Sequence, residues 1–107
     1  NVYVNAKKDL SSTSVTTLYT APALTTAIVK SILVSEDSGN ADTITVTITD
    51  AESTPATFSL FKVKAVGANT TVELLTAPLV VQENEILKVT AATANRLHVV
   101  ASLLEVS

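Results

Sequence analysis

The side chains able to do chemistry are few and dispersed. His98 is the only histidine, in Arg96-Leu97-His98-Val99-Val100, and cysteine is absent. A histidine base needs a nucleophile and an orienting group beside it, and a zinc site needs several nitrogen or sulfur ligands. With one imidazole and no thiol, zinc would have to sit among carboxylates, so His98 reads as a structural residue on a strand face. Carboxylates do cluster: Glu36, Asp37 and Asp42 crowd one end of a short stretch, and Asp50 and Glu52 lie at its other end. Such groups can exchange protons or bind calcium through loop oxygens, but their spacing matches neither an EF-hand loop nor a glycine-rich repeat. They read as solvated turn acids, with calcium at Glu36–Asp42 as the one metal alternative. The two glycines, Gly39 and Gly67, stand far apart, whereas a phosphate-cradling loop needs several close together. Aromatic residues make up 4% of the chain and tryptophan is absent, a thin supply for stacking sugars or single-stranded nucleic acid. The expectation is a non-enzymatic protein with no catalytic residues, no cofactor and no metal.

The elements that would position any site are plainer. In Asp42-Thr43-Ile44-Thr45-Val46-Thr47-Ile48-Thr49-Asp50, apolar residues alternate with threonines, a period of two that only a strand with one buried face explains. Thr, Val and Ile are also the stiff, β-favouring types. Before it, Thr26–Ser35 is apolar on both faces except at Lys30 and Ser31, as in a central strand covered on both sides or one that meets another subunit. The cluster Glu36-Asp37-Ser38-Gly39-Asn40 lies between the two, so Thr26–Asp50 reads as an antiparallel hairpin. Further strands are expected at Val15–Thr20, Thr57–Val66, Thr70–Thr76, Leu79–Val81, Glu85–Ala91 and Arg96–Val106. With so few glycines, the turns between them must lean on Asn, Asp, Ser and Pro. Strands about ten residues apart predict an all-β chain: a single antiparallel β-sandwich of roughly seven to eight strands, jelly-roll or immunoglobulin-like. Residues 1–14 read as an N-terminal arm or edge strand, and residues 15–107 as the β-sandwich domain.

Composition points to contacts. The 107 residues fit one core. The chain is 47% hydrophobic and 16% charged, with a mean hydropathy of +0.40, which reads equally as a well-filled core or as apolar surface that partners cover. A net charge of −3 argues against nucleic acid, which calls for a basic patch. No apolar run approaches the roughly 18–20 residues that span a bilayer, so no membrane partner is expected. The expected contact residues are Val2, Tyr3 and Val4 in the arm, Ile28, Ile32 and Val34 in the first two-sided strand, and Val100 and Leu104 in the last.

Several segments carry a family resemblance. Leu18-Tyr19-Thr20-Ala21-Pro22-Ala23 and Thr25–Val34, then Phe61-Lys62-Val63, Val72-Glu73-Leu74-Leu75, Pro78-Leu79-Val80-Val81, Leu87-Lys88-Val89-Thr90-Ala91 and His98–Glu105, resemble small β-sandwich virion proteins of tailed bacteriophages. The likeness covers Leu18 to the C-terminus. That family carries Pro-Ala-Gly where this chain has Ala23-Leu24, and Gly where it has Asn84. The resemblance implies a structural protein of the virus particle, foremost a capsid decoration or cement protein. Such a protein would sit on the outer capsid surface, self-associate as a homotrimer and bind the major capsid protein. A tail, neck or fibre component, including a host-binding adhesin, is the alternative, and a glycan- or protein-binding module is a second.

Overall fold

The computed structural model describes all 107 residues, in nine strands: β1 Val2–Asp9, β2 Thr16–Thr20, β3 Thr26–Glu36, β4 Asp42–Thr49, β5 Thr57–Val66, β6 Thr71–Glu73, β7 Leu79–Val81, β8 Ile86–Ala91 and β9 Leu97–Val106. One sheet runs β1-β9-β3-β6, with β7 also on β3, and the other runs β2-β8-β4-β5. Every pairing is antiparallel. Strands β6 and β7 pair with successive pieces of β3, Leu33–Ser35 and Ala27–Val29, and so act as one interrupted strand. Counted that way, two four-stranded layers face each other in jelly-roll order, which settles the topology against the immunoglobulin alternative.

In that order nearly every connection crosses between sheets. Only β4 and β5 are consecutive strands that bond to each other. The expected Thr26–Asp50 hairpin is therefore corrected. Its turn lies where predicted, with Gly39 at φ 85°, but the loop carries the chain from one sheet to the other. Of the two readings of the N-terminal segment, arm or edge strand, the structure has the edge strand: β1 pairs with β9 from Val2↔Glu105 to Asp9↔His98 without a register shift, and Leu10 behind it is fully buried.

The core lies between the layers. Ala27, Val29, Ile32 and Val34 of β3 and Leu97, Val99, Ala101 and Leu103 of β9 meet Ile44 and Val46 of β4 and Leu87, Val89 and Ala91 of β8. Each larger aliphatic side chain so buried stabilises the fold by about 1.5–3 kcal/mol. The inward residues of β3 change parity midway, from 27 and 29 to 32 and 34. A β-bulge between Val29 and Ser31 inserts Lys30 opposite no partner on β9, and one extra residue flips every later side chain to the other face. Ile28, Ile32 and Val34 thus do not share a face. Ile28 points outward, while Ile32 and Val34 are 0% exposed, so their expected role as partner contacts is corrected to core.

The glycine-poor turns use asparagine, as expected: Asn69, Asn84 and Asn95 adopt φ 55°, 65° and 64°, a left-handed conformation that Asn tolerates better than most residues. Leu24 likewise has φ 60°. Between the layers, the Tyr19 hydroxyl of β2 donates to Glu105 Oε2 of β9 at 2.5 Å.

The parity change is testable. Ile32→Ala should destabilise the protein by about 2–5 kcal/mol, and Ile28→Ala by no more than about 1 kcal/mol, as measured by urea unfolding. Equal losses would contradict the bulge.

Candidate contact surface

The outward residues of the five-stranded sheet line up in rows because the register is fixed across it. Tyr3 faces Leu104, Leu104 faces Ile28, and Ile28 faces Val80, an apolar row from one sheet edge to the other. Tyr3 is 75% exposed and Val80 52%, with Leu104 and Ile28 half-buried between them. Lys30, released by its bulge, holds its ammonium 5.6 Å from the Tyr3 ring centre, within cation–π range. A second row sets Lys7 beside Val100, Leu33 and Glu73, and Leu33 is exposed. Between the rows lie Asn5, Ser102 and Ser31.

The opposite sheet presents different chemistry. Thr17, Lys88, Thr47 and Ser59 share one row of its outer face, and Thr20, Ile86, Thr49 and Thr57 share another. The threonines of β4 are half-buried rather than wet, except Thr49, which is buried; its hydroxyl lies 2.9 Å from that of Thr57. One outer face is hydroxyl-rich and the other carries apolar rows.

The acidic residues turn out to serve the chain itself. Glu36 is buried and accepts from the amides of Ser38 at 2.8 Å, Gly39 at 3.0 Å and Asn69 at 3.1 Å, and from the Ser38 hydroxyl. Burial by itself raises a carboxyl, but the Ser38 hydroxyl and the amides of Asn69, Ser38 and Gly39 outweigh it and hold Glu36 at about 2. Asp42, also buried, accepts from the Thr93 amide at 3.1 Å. Asp50 accepts from the amides of Ala56 and Glu52. Glu36 is thereby unavailable to the calcium alternative at Glu36–Asp42: its oxygens are taken by donors, and an N–H cradle suits an anion.

His98 stands on the outer face of β9 with Asp9 Oδ1 3.3 Å from Nε2 and Asp37 Oδ2 3.5 Å from Nδ1. Both ring nitrogens thus face carboxylates of the fold, which suits a tie between β1 and the β3–β4 loop.

Of the expected contact residues, the structure brings Tyr3, Ile28, Val100 and Leu104 onto one outer face. Val2 is exposed on the other side of β1, and Val4 is half-buried against the core. Leu33 and Val80 belong to the surface and were missed. Nothing in either strand alone marks them; the signals are the β3 bulge and the pairing of β7 with β3. Also unforeseen are Leu24, 84% exposed, and Val63, 60% exposed, both in the left-handed conformation.

No protein-family model matches the chain, and no curated protein matches it in sequence.

The Glu36 cradle carries a pH dependence. The folded-state value lies below the ordinary 4.5, so the contribution of Glu36 to stability is complete above pH 4.5 and is lost as pH falls towards about 2. Glu36→Gln, which sets an amide NH2 against N–H donors, should lower the melting temperature at neutral pH and flatten its fall through that window. A variant that melts with the wild-type acid slope would show that the cradle does not set it.

Proposed function

We propose that this chain is a non-enzymatic structural protein of a bacteriophage virion, a capsid decoration protein that binds the outer head surface and stabilises contacts between coat subunits. The observation that carries this reading is the asymmetry of the two outer faces. The apolar rows Tyr3–Leu104–Ile28–Val80 and Val100–Leu33 give one face an adhesive character, while the other is hydroxyl-rich. A protein that lies on a shell needs one sticking side and one side that stays in water. The commitment of Glu36, Asp42 and Asp50 to main-chain amides fits a scaffold rather than a reaction centre.

The left-handed turns add support to the family resemblance. Leu24 and Asn84, at the two departures named above, both have positive φ, the conformation glycine adopts most readily. The jelly-roll order also occurs among viral capsid proteins, as an analogy of fold and not of function.

The reading is tested by co-sedimentation with purified heads that lack the protein, and by labelling of intact particles. The wild-type chain should pellet with heads. Leu33→Gln and Val80→Asp should each weaken that binding by roughly 10–100-fold with little change in melting temperature, and Thr47→Asp on the opposite face should not. Label confined to the tail, or heads that ignore the wild-type chain, would sink it.

A further inference from the structure

The sandwich has four lateral edges, and three are poor templates for pairing. Strand β2 has five residues and a bulge between Thr17 and Tyr19, and Ala21-Pro22 follows it. Strand β5 has two register shifts against β4, Lys62 and Lys64, and Val63 in the left-handed conformation. The β6/β7 edge is two three-residue pieces separated by a segment containing Pro78. Bulges, lysines, prolines and short strands are the devices by which sheets avoid unwanted partners.

Strand β1 has few of them. It runs eight residues without bulge or proline, and its two lysines stand near one end. The Leu10 amide donates to the Leu97 carbonyl at 3.0 Å. Antiparallel alternation carried back from that bond turns the amides and carbonyls of Tyr3, Asn5 and Lys7 away from β9. Strand β1 pairs only with β9, and no other group of the protein bonds these amides and carbonyls. The result is a row of free donors and acceptors along an exposed edge.

We infer that β1 pairs with β1 of a second copy of this chain, antiparallel about a two-fold axis at Asn5, joining two five-stranded sheets into one. The sequence of the edge is self-complementary in this register. Tyr3 stands opposite Lys7 of the second copy, Asn5 opposite its own counterpart, and Val4 opposite Ala6. No like charges face each other, whereas a register centred on Lys8 would oppose two ammonium groups. Three bonded pairs supply about six main-chain hydrogen bonds, two for each pair. On the outer face the Tyr3 row of one copy continues into the Lys7–Val100–Leu33 row of the other, so dimerisation lengthens the apolar surface instead of covering it. The contact is isologous and closes at two copies, in contrast to the three that the family resemblance implies.

The test is sedimentation velocity on the full chain over a range of concentrations up to about 1 mM, which detects contacts as weak as millimolar. The wild type should be a dimer that dissociates on dilution. Asn5→Asp and Asn5→Lys place like charges together on the axis, and each should weaken self-association by about tenfold or more. An equimolar mixture of the two should recover a dimer. Asn5→Pro removes an amide that faces away from β9, so it should keep the wild-type circular dichroism and lose the dimer. A wild-type monomer or trimer throughout the range, variants that keep the wild-type mass, or a mixture that stays monomeric would overturn the inference. It stands apart from the virion reading, because a dimer that ignores heads would leave it intact.

Discussion

Strand β3 is where the two layers and both faces of the larger sheet are decided, and the extra residue at Lys30 is what decides them. The strand bonds β9 along one edge and β6 and β7 along the other. With strict alternation, Ala27 and Val29 on one side and Ile32 and Val34 on the other could not all be buried. The bulge reconciles them, and it leaves Ile28 and Leu33 outside as the middle of the two apolar rows. On the edge away from β9, where β6 parts from β3, Glu73 takes over from the ladder. Its carboxylate accepts from the Ser31 hydroxyl and from the Ile32 amide at 2.8 Å, while the Leu74 amide reaches the Ile32 carbonyl at 2.9 Å. Burial raises the Glu73 carboxyl, but the Ser31 hydroxyl and the amides of Ile32, Leu75 and Leu74 lower it further, leaving it below its ordinary value. The gap between β6 and β7 lies against this irregular part of β3, so the broken edge strand and the bulge are one structural solution.

The same economy appears in the loops. A chain with two glycines has few residues free to take tight turns unaided, and it compensates in two ways. Asparagine occupies three left-handed positions, and carboxylates at strand ends gather amides that the turns leave unpaired. Glu36 joins the β3–β4 loop to Asn69 in the β5–β6 turn, and Asp42 joins β4 to the turn before β9. Acidic residues that suggest a metal site are thus the internal fastenings of one end of the sandwich.

These devices explain what could be read from the sequence. The Thr-Ile-Thr-Val alternation fixed a one-faced strand at β4, and the limits of β5 and β7 followed from their breakers, because periodicity and turn chemistry are local. The partners of β4 were not legible. A turn at Gly39 looks the same whether the chain folds back on its neighbour or crosses to another sheet, and the choice depends on which faces are apolar in the whole assembly. Nor did Lys30 declare itself as a bulge: a lysine and a serine within an apolar run read equally well as two exposed positions. That ambiguity misassigned Ile32 and Val34 and hid Leu33.

Most contacts between the layers are aliphatic, and dispersion forces hold surfaces together without fixing their lateral position. The Tyr19–Glu105 hydrogen bond is the only side-chain bond joining a strand of one sheet to a strand of the other. Burial, then the bond to Glu105 and its charge, push the Tyr19 hydroxyl well above its ordinary value. Mechanically it is a pin at one corner of two plates. A force along the strands meets a directional restraint there and only side-chain interdigitation elsewhere, so resistance to sliding is uneven across the domain and greatest where β2 and β9 meet.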